Sequence, residues 1–131
     1  MNVIAAQADP KTEFLALLDH AVAAHANVVQ VRLADGQAVV EILAAGSVVA
    51  SLPWTLSRCA EALPAAFALA DGPDDFEYNT SRSTRMTGEK APLPKGVTMV
   101  FLQFFPARDG QRHLVARITY DADTCCGTCG G

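Results

Sequence analysis

Residues 97–120 read VTMVFLQFFPARDGQRHLVARITY, and this stretch decides the fold. Its two halves, 97–105 and 113–120, are rich in β-branched and aromatic residues, a composition that is typical of strands. The connection between them, 106–110, starts with proline and ends in Asp-Gly, which is a strong turn signal. The stretch therefore predicts a β-hairpin near the end of the chain, and a hairpin needs further strands to form a stable sheet.

The further strands are predicted in the first half of the chain. Residues 28–33 and 38–43 form two strand-like runs around another Asp-Gly pair, Asp35-Gly36. A second turn signal, Ala45-Gly46, leads into a third short run at 47–52. Three runs joined by tight turns predict an antiparallel meander.

Two helices are predicted around the meander. Asp9 followed by Pro10 favours a helix start, because Asp caps free amides and Pro fits the first turn. A helix over about 10–25 is indicated by apolar residues at three- and four-residue spacing: Phe14, Leu17, Leu18, Ala21 and Val22. A second helix is predicted over about 55–70, opened by Pro53-Trp54-Thr55. Pro64 is expected to kink it or split it in two.

The stretch between the second helix and the late hairpin, 71–96, is rich in Gly, Pro, Asp, Ser and Thr. It predicts a long irregular loop with a short strand near 76–78, and loops of this length are usually functional, mobile or bound to a partner. The order of elements predicts an α+β domain over residues 1–120, with an antiparallel sheet of five or six strands and two helices on one face. Residues 121–131 are predicted to be a Gly/Cys-rich linker or tail.

The composition of the chain excludes several classes of function. Half of the 131 residues are hydrophobic and 18% are charged, which favours one folded domain over disorder. The net charge of −4 and the lack of a Lys/Arg cluster argue against a nucleic-acid surface. No apolar run reaches the ~20 residues of a membrane helix, and residues 1–8 lack the basic start of a signal peptide. Three of the four cysteines crowd into the last seven residues, unlike a disulfide framework. We therefore expect a cytoplasmic protein without membrane insertion or a nucleic-acid partner.

A collinear set of short motifs spans about 12–120: Ala68-Leu69-Ala70-Asp71-Gly72, Leu93-Pro94-Lys95-Gly96-Val97, Phe105-Pro106, Gly110-Gln111-Arg112 and Leu114-Val115-Ala116-Arg117-Ile118. Together with the element order, this set resembles the N-terminal domain of the type II/type IV secretion ATPase superfamily, which drives type II secretion, type IV pili and conjugation. The chain departs from the family at Asn27-Val28-Val29-Gln30, where the family often has Ser-Asp, an apolar residue and His. It also has Phe101 where the family often has a second Arg before the Pro.

The resemblance implies a PAS-like two-layer domain that sits on a RecA-like motor within a hexamer, at the inner face of a secretion machine. It implies that Arg117 reaches over the motor's nucleotide and contacts phosphate, with Arg112 as a second candidate for that contact. The partners would be the motor domain and neighbouring subunits, and ATP would enter only with the motor. The glycines of 121–131 would then permit a hinge motion.

The chain itself is predicted not to be an enzyme. A phosphate-binding loop needs G-x-x-x-x-G-K-[ST], and the nearest string is Gly88-Glu89-Lys90-Ala91. That string has no glycine five residues earlier, a Glu between Gly and Lys, and no hydroxyl after the Lys. We therefore expect no catalytic residue and no cofactor.

Other candidates keep alternatives open. Arg82 and Arg85, among hydroxyl residues at 81–88, could form a subunit or anion contact, or belong to a solvated loop. Arg117 could be an exposed strand residue in a weak surface pair. A zinc site in the tail is a weak alternative, because structural zinc takes four ligands. The tail offers three thiols, those of Cys125, Cys126 and Cys129, and only His113 or Cys59 could be a distant fourth ligand. The rival function is a stand-alone PAS-like small-ligand or regulatory module, which needs an apolar cavity between sheet and helices.

Overall fold

The computed structural model describes residues 9–72, 80–108 and 110–121. The elements in chain order are helix α1 (Pro10–Ala23), strands β1 (Val28–Ala34), β2 (Gln37–Ala44) and β3 (Ser47–Trp54), helix α2 (Leu56–Leu69), and strands β4 (Arg82–Met86), β5 (Val97–Phe104) and β6 (Arg112–Tyr120). The strands form one antiparallel sheet in the order β3-β2-β1-β6-β5-β4. The predicted α+β class is thereby confirmed. The lead-in at 1–8, the short strand expected near 76–78, and the tail after residue 121 lie outside the described residues.

Strand pairing gathers most of the buried side chains on one face of the sheet. Val31, for example, pairs with Val40 on β2 and with Leu114 on β6, and all three are buried. The helices contribute their apolar side chains to the same core, and the Phe67 ring of α2 meets the Phe104 ring of β5 edge-on at 5.7 Å. Both helices therefore cover this core face. The opposite face of the sheet, called the open face below, is covered by no helix that the structure describes.

Capping explains where α1 begins and ends. The Asp9 carboxylate accepts hydrogen bonds from the backbone amides of Lys11 at 3.1 Å and Thr12 at 3.3 Å, as a helix cap does. The helix ends at Ala23, two residues before the predicted limit, and His25 follows with a positive φ of 58°. A left-handed residue after a helix turns the chain away from the axis, and here it leads directly into β1.

Both turns predicted in the meander are present as two-residue turns. Asp35 and Gly36 have φ values of 53° and 73°, and Ala45 and Gly46 have 53° and 84°. Two successive positive φ values match the right-handed twist of the strands that they join. The local signals in the sequence were therefore sufficient for this part of the sheet.

The prediction for Pro64 was wrong about two short helices, because α2 runs without a break through Pro64. A proline inside a helix costs about 3 kcal/mol, but seven residues of α2 are buried against the core. Burial of a large apolar side chain contributes about 1.5–3 kcal/mol, so packing outweighs the local cost. Pro53, predicted to open this helix, instead belongs to β3.

The prediction of an irregular loop over 71–96 was also wrong in part. Arg82–Met86 forms strand β4, which pairs with β5 at the edge of the sheet. The sequence of β4 does not show the apolar alternation of a strand, because four of its five residues are polar or charged. Met86, the remaining residue, is the one that is buried. Pairing with a neighbour, which a single sequence does not display, makes this segment a strand. No described helix is long and apolar enough to span a membrane.

Candidate functional site

The open face carries a row of paired residues across all six strands. In strand order from β3 to β4 the row is Val48, Leu43, Val28, Arg117, Phe101 and Arg85. Side chains of paired residues lie on the same face of a sheet. The row is thus apolar on one side and Arg-Phe-Arg on the other. The second half is called the Arg–Phe–Arg row below.

The two arginines of this row are exposed, and Phe101 between them is half-buried. The Arg117 Nε donates a long hydrogen bond of 3.4 Å to Gln103 Oε1. In the part of the chain that the structure describes, neither Arg85 nor Arg117 has a carboxylate within ion-pair distance. Two strand spacings of about 4.8 Å separate their backbones, so two long side chains can reach one anionic group.

The structure does not bring Arg82 and Arg85 together, although they were predicted as one anion or subunit contact. Residues three apart on a strand point to opposite faces. Arg82 lies on the core side, with its guanidinium over the Phe67 ring at 5.0 Å, whereas Arg85 lies on the open face. Arg85 instead shares a surface with Arg117. The sequence did not indicate this combination, because it depends on how β4, β5 and β6 align.

Arg112 is separated from Arg117 as well. It begins β6, five positions before Arg117. Five positions correspond to about 16 Å along a strand. The Arg112 guanidinium lies 6.0 Å from the centre of the Phe105 ring. Both Arg112 and Phe105 line a cleft of about 310 Å³ at the end of the sheet, together with Ser81, Pro106, Arg108 and Gln111. The two arginines implied by the family resemblance therefore belong to different places on this surface.

A β-bulge at His113 positions the start of β6. The pairing of β1 with β6 shifts there, because Val31 pairs with Leu114 and Arg32 with Arg112. The His113 ring is buried, and its Nδ1 lies 2.6 Å from the carbonyl oxygen of Phe105. A carbonyl only accepts, so Nδ1 carries the proton and donates. This bond ties the bulge to the end of β5, which gives His113 a structural role.

The other proposed zinc ligand from the folded part, Cys59, is an unfavourable one. It is buried in α2, and burial raises the pKa of its thiol to about 11. Zinc binds the thiolate, which is scarce at neutral pH for such a group. Cys125, Cys126 and Cys129 lie outside the described residues. Within the described residues there is no group of three or more potential metal ligands.

A third arginine of the open face, Arg32, is neutralised locally. Its Nη2 and Nε donate to the Glu41 carboxylate at 3.0 and 3.3 Å, and Gln30 Nε2 donates to the same group at 2.8 Å. These hydrogen bonds, that from Arg32 foremost, hold the pKa of Glu41 below its ordinary value. Arg32 is thus occupied by Glu41, whereas Arg85 and Arg117 form no ion pair with the carboxylates that the structure describes.

The Glu41 network gives a pH-dependent prediction. A carboxyl with a lowered folded-state pKa stabilises the fold above its unfolded pKa, and this contribution is lost as pH falls through the folded pKa. We expect Glu41→Gln to lower the free energy of unfolding by about 0.5–1 kcal/mol near pH 7. Near pH 3, below the ordinary pKa of about 4.3, the native chain and the variant should differ by less than at pH 7, because part of this contribution is lost as the Glu41 carboxylate takes up a proton. Urea unfolding at both pH values measures this, with exposed Glu61→Gln as control. If Glu41→Gln lowered the free energy of unfolding by the same amount at both pH values, the prediction would be contradicted.

Comparison of the sequence with models of protein families gives no match, and comparison with curated proteins gives none either.

Proposed function

We propose that this chain is a non-catalytic, cytoplasmic interaction domain of a hexameric secretion or conjugation ATPase. In this proposal the Arg–Phe–Arg row contacts the phosphates of a nucleotide held by a motor domain, and the rest of the open face contacts a neighbouring subunit. The observation that carries the proposal is the pair of exposed arginines, Arg85 and Arg117, on either side of Phe101. The family resemblance of the sequence supplies the partner.

Arginine suits this role chemically. Its planar guanidinium presents several donors and binds phosphate oxygens bidentately. A single exposed contact of this type is weak in water, because solvent screens both charges. The same contact strengthens when a protein partner excludes water from around it. We therefore expect little affinity for free nucleotide, and a contact that forms once a motor domain brings its nucleotide to the open face.

The apolar half of the row supports a protein partner. Val28, next to Arg117 in the row, and Leu43 are half-buried, and Val48 at the end of the row is 51% exposed. Interfaces between proteins combine an apolar centre with arginine and aromatic residues. A surface that presents both together fits a protein that carries an anionic group better than it fits a free small anion.

The rival function, a PAS-like small-ligand module, needs a cavity between the helices and the sheet. The middle of that layer holds large buried side chains, among them Phe14, Phe67 and Phe104. Phe14 and Phe104 are each 1% exposed, and the Phe67 and Phe104 rings are in direct contact. The described core therefore gives no support to a small-ligand module, and we favour the interaction domain.

Affinity capture from a lysate of the source cells tests the proposal. The immobilised chain should retain an ATPase that contains a phosphate-binding loop, identified by mass spectrometry. The double variant Arg85→Glu, Arg117→Glu should retain at least about tenfold less of it, because repulsion replaces attraction at the contact. The matched control Lys11→Glu, Lys95→Glu makes the same change in charge at other positions outside the open-face row and should retain as much as the native chain.

Two results would contradict the proposal. One is capture of no such ATPase by the native chain, and the other is equal capture by the native chain and the open-face double variant. A separate assay addresses catalysis. The purified chain should not hydrolyse ATP above background, and turnover by the chain alone would refute a non-catalytic role.

A further inference from the structure

We propose that the outer edge of β3 pairs with β3 of a second copy of this chain, antiparallel and about a twofold axis. Among the described strands, β3 is the last on its side of the sheet, and six of its eight residues are exposed. In the described part of the chain, the exposed large hydrophobic residues all fall within 48–56: Val48, Val49, Leu52 and Leu56. A long apolar edge strand is a template for pairing with another strand.

The charge pattern favours a second copy as the occupant. Residues 47–57 contain no Asp, Glu, Lys or Arg, although 18% of the whole chain is charged. Natural edges are commonly blocked by charged side chains, since like charges repel when an edge meets its own copy. β3 lacks that protection, and an uncharged apolar edge is electrostatically compatible with itself. A twofold contact of this kind needs only one self-complementary surface.

The backbone shows which part of β3 is free to pair. Ala44 and Ser47 close the two-residue turn as paired residues. Such a closing pair is hydrogen-bonded, so the next pair, Leu43 and Val48, is not. The amide and carbonyl of Val48 therefore point away from β2. The pairing shifts by one residue at a β-bulge between Val48 and Ala50, and it then continues without a further shift through residues 51–53.

Pro53 limits the extent of pairing. A proline within an edge strand has its nitrogen on the outer side, where no ladder hydrogen bond is lost. Ser51, two residues earlier, shares that outward direction, but unlike Pro53 it has an amide hydrogen to donate. The outward donors of Val48 and Ser51 thus lie in 47–52, and pairing is expected to stop at Pro53. In the antiparallel arrangement, Val48 of each copy comes near Ser51 of the other.

The opposite edge of the sheet is protected in the ways that β3 is not. β4 has only five residues, and two of them are arginines. The backbone amide of Asp71 donates to the Arg85 carbonyl at 2.9 Å, which occupies part of the outer edge. Thr84 Oγ1 donates to the Asp71 carbonyl at 3.2 Å. Because the β4 edge is short, charged and partly occupied, we expect self-association at the β3 edge.

Sedimentation velocity of the purified chain over a wide concentration range tests this proposal. We expect a reversible monomer–dimer equilibrium. Val48→Lys should raise the dimer dissociation constant by roughly tenfold or more, because it places a charge at the twofold contact. Ser51→Pro should have a similar effect, because it removes an outward donor while leaving the pairing with β2 intact. Ser83→Lys, an exposed position on β4, is the control and should dimerise like the native chain.

Circular dichroism establishes that each variant is folded, which is expected because all three positions are exposed. A chain that stays monomeric at every concentration overturns the proposal. So does a dimer that persists in both β3 variants, which would use another surface. A dimer that is lost in Val48→Lys but kept in Ser51→Pro would rest on side-chain contact alone, and would overturn strand pairing.

Discussion

Replacing Phe104 with alanine is expected to lower the free energy of unfolding by about 3–5 kcal/mol. Phe104 is 1% exposed, ends β5, and pairs with Leu114 of β6 and Arg82 of β4. Its ring also contacts Phe67 edge-on, at a centroid distance of 5.7 Å, so it links the sheet to α2. Truncation removes this buried surface and leaves a cavity that the surrounding strands cannot fully close. Since a domain of this size has a total stability of about 5–15 kcal/mol, much of the variant should be unfolded under mild denaturing conditions.

Urea unfolding followed by circular dichroism measures this effect. The matched control is Phe101→Ala, three residues earlier on the same strand but half-buried on the open face. The control should lose less than about 1.5 kcal/mol, because its ring remains partly in contact with water in the folded chain. Equal losses for the two variants would mean that the open face is as tightly covered as the core, contrary to the architecture described above.

Replacing Pro64 with alanine is expected to raise the free energy of unfolding by about 1–2 kcal/mol. Pro64 lies well inside α2, where it lacks a backbone donor and crowds the preceding turn. Alanine supplies the donor and is the best helix former. The gain is smaller than the full cost of a helical proline, which is about 3 kcal/mol. Alanine makes the unfolded chain more flexible, and it loses the contacts of the half-buried ring.

Thermal and urea unfolding of Pro64→Ala and of the control Pro53→Ala check this expectation. Pro53 lies in the edge strand β3, where a restored amide would face outward. Its replacement should therefore change stability by less than about 0.5 kcal/mol. If Pro64→Ala were no more stable than the native chain, the contacts of the Pro64 ring would fully offset the cost of a proline inside the helix. That result would contradict the expected gain in stability.

The candidate site was accessible to sequence reasoning only in part. Arg117 could be assigned to a strand, and its alternation with Ala116 and Ile118 is consistent with the exposed side that it occupies. Arg85 could not be joined to it, because β4 shows no apolar alternation and resembles a polar loop. Whether Arg82 or Arg85 shares the open face depends on the register of β4 against β5, and a shift of one residue exchanges the two faces.

The sequence by itself determined the elements whose causes are local. These are the Asp9 cap of α1, the two-residue turns at Asp35-Gly36 and Ala45-Gly46, and the strand character of 97–105 and 113–120. Each depends on a few adjacent residues and their backbone preferences. Only the tertiary structure decided that β1 lies between β2 and β6, that β4 is a strand, and that α2 continues through Pro64. These features depend on pairing and burial between segments distant along the chain, and such contacts override weak local preferences.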